Sequence, residues 1–184
     1  MFIQTEATPN PNTLKFIPGE PVMNDGTADF TDSESATASP LAGAVFAIGG
    51  IKRIFFGSDF ISVTRDEAGD SWPVLKPQIL AAIMDHYVSG AALMTGEVPA
   101  DETETGEDSP VVAQIKELLD TRIRPSVAND GGDIIFRGFE DGVVYLRLQG
   151  SCAGCPSSTA TLKHGIENLL KYYVPEVLSV QSVS

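Results

Sequence analysis

Apolar positions along this chain change period several times, and each change marks an element. Thr13-Leu14-Lys15-Phe16-Ile17 alternates like a strand, and Pro18-Gly19 stops it. Ahead of it, Thr8-Pro9-Asn10-Pro11-Asn12 is turn chemistry, because each proline biases its predecessor away from helix. Residues 24–39 are polar and irregular and predict no regular element. Ser39-Pro40 reads as helix cap and first turn. Leu41, Val45 and Ile48 follow at helical spacing up to Gly49-Gly50. Ile51–Phe56 and Phe60–Arg65 are β-type runs joined by Gly57-Ser58-Asp59, a predicted hairpin. Trp72-Pro73 opens a helix whose Leu75, Ile79, Leu80, Ile83 and Tyr87 form one stripe, ending near Gly90.

The second half reads helix, strand, strand, helix, strand. Ser109-Pro110 is again cap and first turn. Val111, Val112, Ile115, Leu118, Leu119 and Ile123 make the buried stripe, and Pro125 is expected to end the helix or fall just beyond it. Asn129-Asp130-Gly131-Gly132-Asp133 predicts a tight turn tolerant of positive φ. Ile134–Phe139 and Val143–Gln149 are strands joined by Glu140-Asp141-Gly142. A helix starts at Pro156 with Leu162, Ile166, Leu169, Leu170 and Tyr173 on one face, and Val177–Val183 reads as an added edge strand. The expected class is α+β: two small units, each with helices packed on a small sheet.

Charge separates the units. The chain carries 12 basic and 25 acidic residues in 184, a net of −13. Residues 96–109 hold six acidic side chains and no basic one. Such a stretch cannot bury enough surface to offset its ordering entropy, so it is expected to be an extended, mobile linker. The expected domains are therefore 1–95, the linker 96–109, and 110–184. A strongly acidic chain repels nucleic acid and anionic membranes, so neither is an expected partner. No apolar run approaches the roughly 20 residues that span a bilayer. Met1–Glu6 has no basic region followed by an apolar run, so it does not read as a signal or transit peptide. Two cysteines are too few for a secreted disulfide framework, and a reducing cytoplasm is the expected compartment.

Those two cysteines share one turn, Gly150-Ser151-Cys152-Ala153-Gly154-Cys155-Pro156. A strand delivers the chain into the turn and a helix leaves it. Free amide hydrogens and the positive helix end there are expected to lower the thiol pKa values and favour thiolate. Glycines at 150 and 154 allow tight folding around a bulky group. Three chemistries use such a pair. A thiol–disulfide oxidoreductase would cycle a Cys152–Cys155 bridge, although its usual βαβ setting is missing. Zinc or an iron–sulfur cluster needs four soft ligands, and two copies about a two-fold axis would supply them. Zinc would staple a permanent dimer, whereas an exposed cluster would be labile.

Around this turn the chain resembles the Nfu family, in the C-terminal NifU-like module. The matching residues are Arg124-Pro125, Asp130-Gly131-Gly132-Asp133, Gly150-Ser151-Cys152-Ala153-Gly154-Cys155-Pro156-Ser157-Ser158 and Thr161-Leu162-Lys163-His164-Gly165-Ile166-Glu167. Residues 1–19, from Met1-Phe2-Ile3-Gln4-Thr5-Glu6 through Pro18-Gly19, similarly resemble the N-terminal domain of bacterial and mitochondrial Nfu proteins. The resemblance implies a scaffold or carrier, not an enzyme, with no catalytic residue. It implies a 4Fe–4S cluster bridging two subunits, with Cys152 and Cys155 as the metal ligands from each. It also implies partners: cluster-donor assembly proteins, and apo-proteins that receive the cluster. Mitochondrial relatives carry a transit peptide, so the start of this chain points to a bacterial cytoplasmic protein or a processed one; for eukaryotic relatives the compartment is the mitochondrial matrix.

Other polar residues read more plainly. Asp130–Asp133 lacks the spacing and ligand count of a calcium loop and is expected to be a turn that helps shape the cysteine site. His164, about two helical turns past Cys155, is expected to face solvent or cap the pocket rather than ligate. Lys163 either offsets the negative charge of thiolates or is a solvated helix residue. Asp85-His86 reads as a surface pair. No hydrolytic constellation stands out.

Overall fold

The computed structural model describes residues 2–96, 109–153 and 156–183. The chain divides into two compact units, Met1–Ala100 and Asp101–Ser184. Both mix helices with a sheet, antiparallel in the first unit and mixed in the second, the α+β class expected. Among the described residues no helix is long and apolar enough to cross a membrane.

In the first unit, β1 (Gln4–Ala7), β2 (Thr13–Ile17), β3 (Ala28–Phe30), β4 (Ile51–Phe56) and β5 (Ile61–Arg65) form one antiparallel sheet in the order β1-β2-β5-β4-β3. Helices α1 (Pro40–Phe46) and α2 (Trp72–Ser89) cover it. The core between them is made by Phe16, Phe30, Ile54 and Phe56 from the sheet, Leu41 and Val45 from α1, and Leu75, Ile79 and Ile83 from α2. Ser39 caps α1 as expected, its hydroxyl accepting from the Ala42 amide at 3.2 Å while wholly buried. Gly90 closes α2 in the left-handed region, at φ +67°.

Strand β3 falls where the sequence predicted irregular chain. Three residues are too short for a period to register, and two interactions make the strand. Phe30 packs edge-on against Phe56 with centroids 5.1 Å apart. The Asp29 carboxylate accepts from two of the Arg53 guanidinium nitrogens across the sheet, from Nε at 2.7 Å and from a terminal nitrogen. Neither is visible without knowing that β3 pairs with β4.

The second unit opens with α3 (Pro110–Leu118), capped by Ser109, whose hydroxyl accepts from Val112. Pro125 does not end the helical run, contrary to expectation. A π-helical turn over Leu119–Ile123 leads into α4 (Arg124–Asn129), where Pro125 sits in the first turn. A proline clashes with the carbonyl four residues back and offers no N–H. Widening the preceding turn relieves both problems, so the chain stays helical to Asn129. Strands β6 (Gly132–Glu140) and β7 (Val143–Gly150) then form a hairpin. Its Asp141-Gly142 turn has positive φ at both residues, +50° and +78°, which suits the right-handed twist of the strands. Helix α5 (Pro156–Tyr173) crosses back, and β8 (Ser179–Val183) adds to β7 in parallel as the predicted edge. Ile115, Leu119, Ile123, Val127, Ile134, Val144, Leu146, Ile166 and Leu170 fill the core. Tyr173, predicted to be buried, is exposed instead and carries the Arg122 guanidinium over its ring at 5.0 Å.

Candidate metal centre

Cys152 sits just past the end of β7, in a turn built by its neighbours. Gly150 takes φ +64°, and the Ala153 amide donates back to the Gly150 carbonyl at 3.2 Å. The loop between α4 and β6 straps this turn in place. The Ser151 amide donates to the Gly131 carbonyl at 3.2 Å, and the Ser151 hydroxyl donates to the Asp130 carbonyl. From the other side, the Thr159 hydroxyl of α5 donates to the Cys152 carbonyl at 2.9 Å. Three elements therefore fix the backbone of one cysteine.

Gly131 in the strap takes φ +80°, and Gly132, where β6 begins, has a different need for glycine. Gly132 pairs with Gly150 across the hairpin. A Cβ on Gly132 would stand 2.7 Å from the Cys152 sulfur and 2.7 Å from the Gln149 carbonyl oxygen, closer than atoms pack. The missing side chain is the pocket in which the Cys152 thiol lies.

Cys152 carries a free thiol that is only 6% exposed and belongs to the apolar core. Burial pushes it up to about 11. A hydrogen bond with Ser151 opposes that, and the charges of Asp130 and Asp133 add to it. The expected lowering by the helix end is thus corrected for Cys152. The helix begins at Pro156, four residues on, and the influence of a helix terminus falls off within a turn, whereas desolvation acts at the sulfur itself. Gly154 and Cys155, the second predicted ligand, lie outside the described residues.

One feature of the site was not legible as a pair in the sequence. Asp133, with a side chain only 6% exposed, accepts from Arg124 Nε at 2.8 Å and from a terminal guanidinium nitrogen at 2.7 Å. Arg124 also reaches Asp120 at 3.2 Å on the solvent side. The guanidinium is raised well above its usual range, first by its hydrogen bonds to Asp133. The π-helical turn positions Arg124, and Asp133 is the second residue of β6, the strand that follows the strap. The fork therefore ties the α3–α4 helical run to the base of the cysteine turn. Both residues were among the family-like positions, but nothing in a nine-residue separation announces a bidentate pair.

The remaining candidates lie elsewhere. His164 is exposed on α5. Among the described residues no group of three or more histidine, cysteine or acidic side chains is placed to hold a metal. The Asp130–Asp133 turn spends two carbonyls on Ser151, those of Asp130 and Gly131, and one carboxylate on Arg124, which is a structural use. Lys163 is half-buried. Asp85 is exposed, while His86 is half-buried with its ring edge-on to Tyr87, and burial lowers its pKa.

Comparison with known proteins bears on both units. Residues 3–90 match the family model described as "Scaffold protein Nfu/NifU N terminal", and residues 115–181 match the one described as "NifU-like domain". The chain is 57% identical over 183 residues to the Homo sapiens protein named "NFU1 iron-sulfur cluster scaffold homolog, mitochondrial", covering all of this chain and 72% of that one. It is 55% identical over 186 residues to "NifU-like protein 5, mitochondrial" of Arabidopsis thaliana, covering 98% of this chain and 67% of the relative. A solution NMR structure of a NifU-like protein from Saccharomyces cerevisiae superposes with TM-score 0.47 at 25% identity, over 53% of this chain and 87% of that one.

Proposed function

The chain belongs to the Nfu/NifU family of iron–sulfur cluster scaffold proteins, and from that premise we propose that it carries a 4Fe–4S cluster between two copies of itself and hands it to apo-proteins. The cluster is cargo rather than a resident cofactor. Cys152 and Cys155 of each copy are its four ligands, which makes a homodimer the loaded form. Assembly proteins that donate the cluster and clients that accept it are the partners, and the chain performs no net catalysis. Both relatives compared above are named mitochondrial. For this chain we keep the reducing interior of a cell as the compartment, the bacterial cytoplasm or, for eukaryotic relatives, the mitochondrial matrix.

The observation that carries this reading is the pocket under Gly132. It holds Cys152 dry and protonated on a backbone fixed by three elements. Loading requires two events at that residue: the side chain leaves the pocket, and the thiol gives up its proton to become a metal ligand. Unloading reverses both, as the client's cysteines take the metal and the Cys152 thiol returns to its apolar site. A stable refuge for the empty ligand weakens cluster binding and so favours release. The same pocket keeps Cys152 from being the attacking sulfur of a thiol–disulfide oxidoreductase, which must be an accessible thiolate.

Elemental analysis of the anaerobically purified protein tests the reading. Iron and acid-labile sulfide in equal amounts, lost together in a C152S/C155S variant, are the expected result. Zinc in their place would replace the carrier by a zinc-linked dimer. Metal-free protein that reduces disulfides catalytically would replace it by the oxidoreductase.

A further inference from the structure

The backbone is tied down on both sides of Cys152. The Ser151 amide and hydroxyl donate to the strap, the Ala153 amide donates to the Gly150 carbonyl, and the Cys152 carbonyl accepts from Thr159. The side chain belongs to the core cluster that includes Ile134 and Ile166. A fixed backbone leaves the residue one free motion, rotation about its Cα–Cβ bond. That rotation brings the sulfur out of its place against Gly132 and leaves an apolar void. Such a void stays dry, and the atoms that lined it lose contacts without gaining water. The exposed rotamer is therefore the minor one in the empty protein, and the void draws the sulfur back.

We infer that the two ligands of each chain act in a fixed order: Cys155 takes the arriving cluster first and Cys152 joins last, and on delivery Cys152 leaves first. The inference rests on the carrier reading and concerns the regulation of that same site. A cluster cannot make its first bond to a sulfur it cannot touch, and Cys152 is only 6% exposed. The chain has two cysteines, so the first contact falls to the other. Once Cys155 of each copy holds the cluster, its meeting with Cys152 is intramolecular. A sparsely populated exposed rotamer then suffices to complete the site.

Delivery runs the same order backwards. Breaking the bond between iron and the Cys152 sulfur is offset in part by the protein, because the freed side chain regains its apolar contacts. The client's thiol gives up a proton and its sulfur bonds to that iron. The Cys152 sulfur takes a proton and returns to its pocket as a thiol. One iron–sulfur bond breaks, one forms, and no electron moves. Cys155 keeps its own bond until a second client sulfur replaces it, so the cluster is held throughout the exchange.

Two experiments on the full chain test the order. In the first, the metal-free wild-type protein is alkylated anaerobically and the products are mapped by mass spectrometry. Cys155 is expected to be modified about tenfold faster than Cys152, or more, as accessibility dictates. In the second, a synthetic 4Fe–4S cluster ligated by small thiolates is added anaerobically, and capture is followed by visible circular dichroism. C152S is expected to capture as fast as wild type, keeping small thiolates where Cys152 would bind. C155S is expected to be slower by about tenfold or more, since its remaining sulfur is buried. Adding G132A to C155S pushes that sulfur from its pocket and is expected to restore capture; should G132A unfold the second unit, the comparison of C152S with C155S decides alone. Equal alkylation of the two cysteines, or C155S capturing as fast as C152S in a series whose wild type loads, overturns the order and leaves the carrier reading standing. A wild-type chain that captures no cluster sinks the carrier reading and the order with it.

Discussion

Replacing Gly132 by alanine probes the pocket that the account depends on. The added methyl would lie 2.7 Å from the Cys152 sulfur and 2.7 Å from the Gln149 carbonyl oxygen. Each contact is about 1 Å shorter than carbon normally allows. The carbonyl is part of the hairpin ladder and cannot step aside. The sulfur is at the end of a single rotatable bond, so it moves. The Cys152 amide nitrogen, 3.2 Å away, limits how far the backbone follows. Overpacking of this kind costs about 1–3 kcal/mol. That range is a factor of roughly five to more than a hundred in the open population of the second unit. The assay has a built-in control, because the only tryptophan, Trp72, opens α2 in the first unit, with its indole N–H donating to the Pro11 carbonyl at 3.1 Å. Urea unfolding followed by tryptophan fluorescence should leave that transition unmoved in G132A. Amide NMR signals from β6 and β7 should disappear at lower urea. In a C155S background, alkylation of Cys152 at pH 8 should accelerate about tenfold or more as the thiol is pushed from its pocket. If β6 and β7 unfold at the wild-type urea concentration and Cys152 alkylates at the wild-type rate, the pocket does not exist as described.

Further outcomes follow from other parts of the structure. R124A removes both guanidinium donors from the Asp133 carboxylate in a site only 6% exposed, leaving it the Ile134 amide at 2.8 Å; with the Arg124 side chain itself 40% exposed, the loss is about 2–3 kcal/mol, read in the same NMR unfolding experiment, with R124K recovering only part of it. In the C155S protein the alkylation rate of Cys152 should climb with pH to a midpoint near 11, against about 8.5 for a free cysteine. The raised pKa makes the buried neutral thiol stabilising below the unfolded-state value, so the second unit should lose stability as pH rises towards 11, and C152A should flatten that slope. S39A removes a wholly buried helix cap and should destabilise the first unit by about 1–2 kcal/mol, moving the Trp72 transition and leaving β6 and β7 untouched.

What the sequence revealed follows the range of the forces involved. Ser39-Pro40 and Ser109-Pro110 are local caps, and the stripes of α2 and α5 are periods of one element, so both were legible. Strand β3 and the run through Pro125 were not, because each depends on a partner distant in the chain or on a π-helical turn that no residue pattern announces. At the cysteine turn, residue identities pointed to thiolate chemistry and to the right strand-to-helix junction. They gave the wrong direction for the Cys152 pKa, since the helix end is a sequence-local cue while burial under Gly132 comes from the hairpin register. The Arg124–Asp133 fork was missed for the same reason: each residue stood out, but their pairing is tertiary.

The central claim is that two chains jointly hold one cluster through Cys152 and Cys155. Native mass spectrometry of the chain after anaerobic reconstitution with iron and sulfide tests it most directly. The account predicts a dimer carrying four irons and four sulfides, which gives iron-free chains when an apo client protein is added. A monomer that binds no iron, or the same loaded dimer from C152S/C155S, would contradict it.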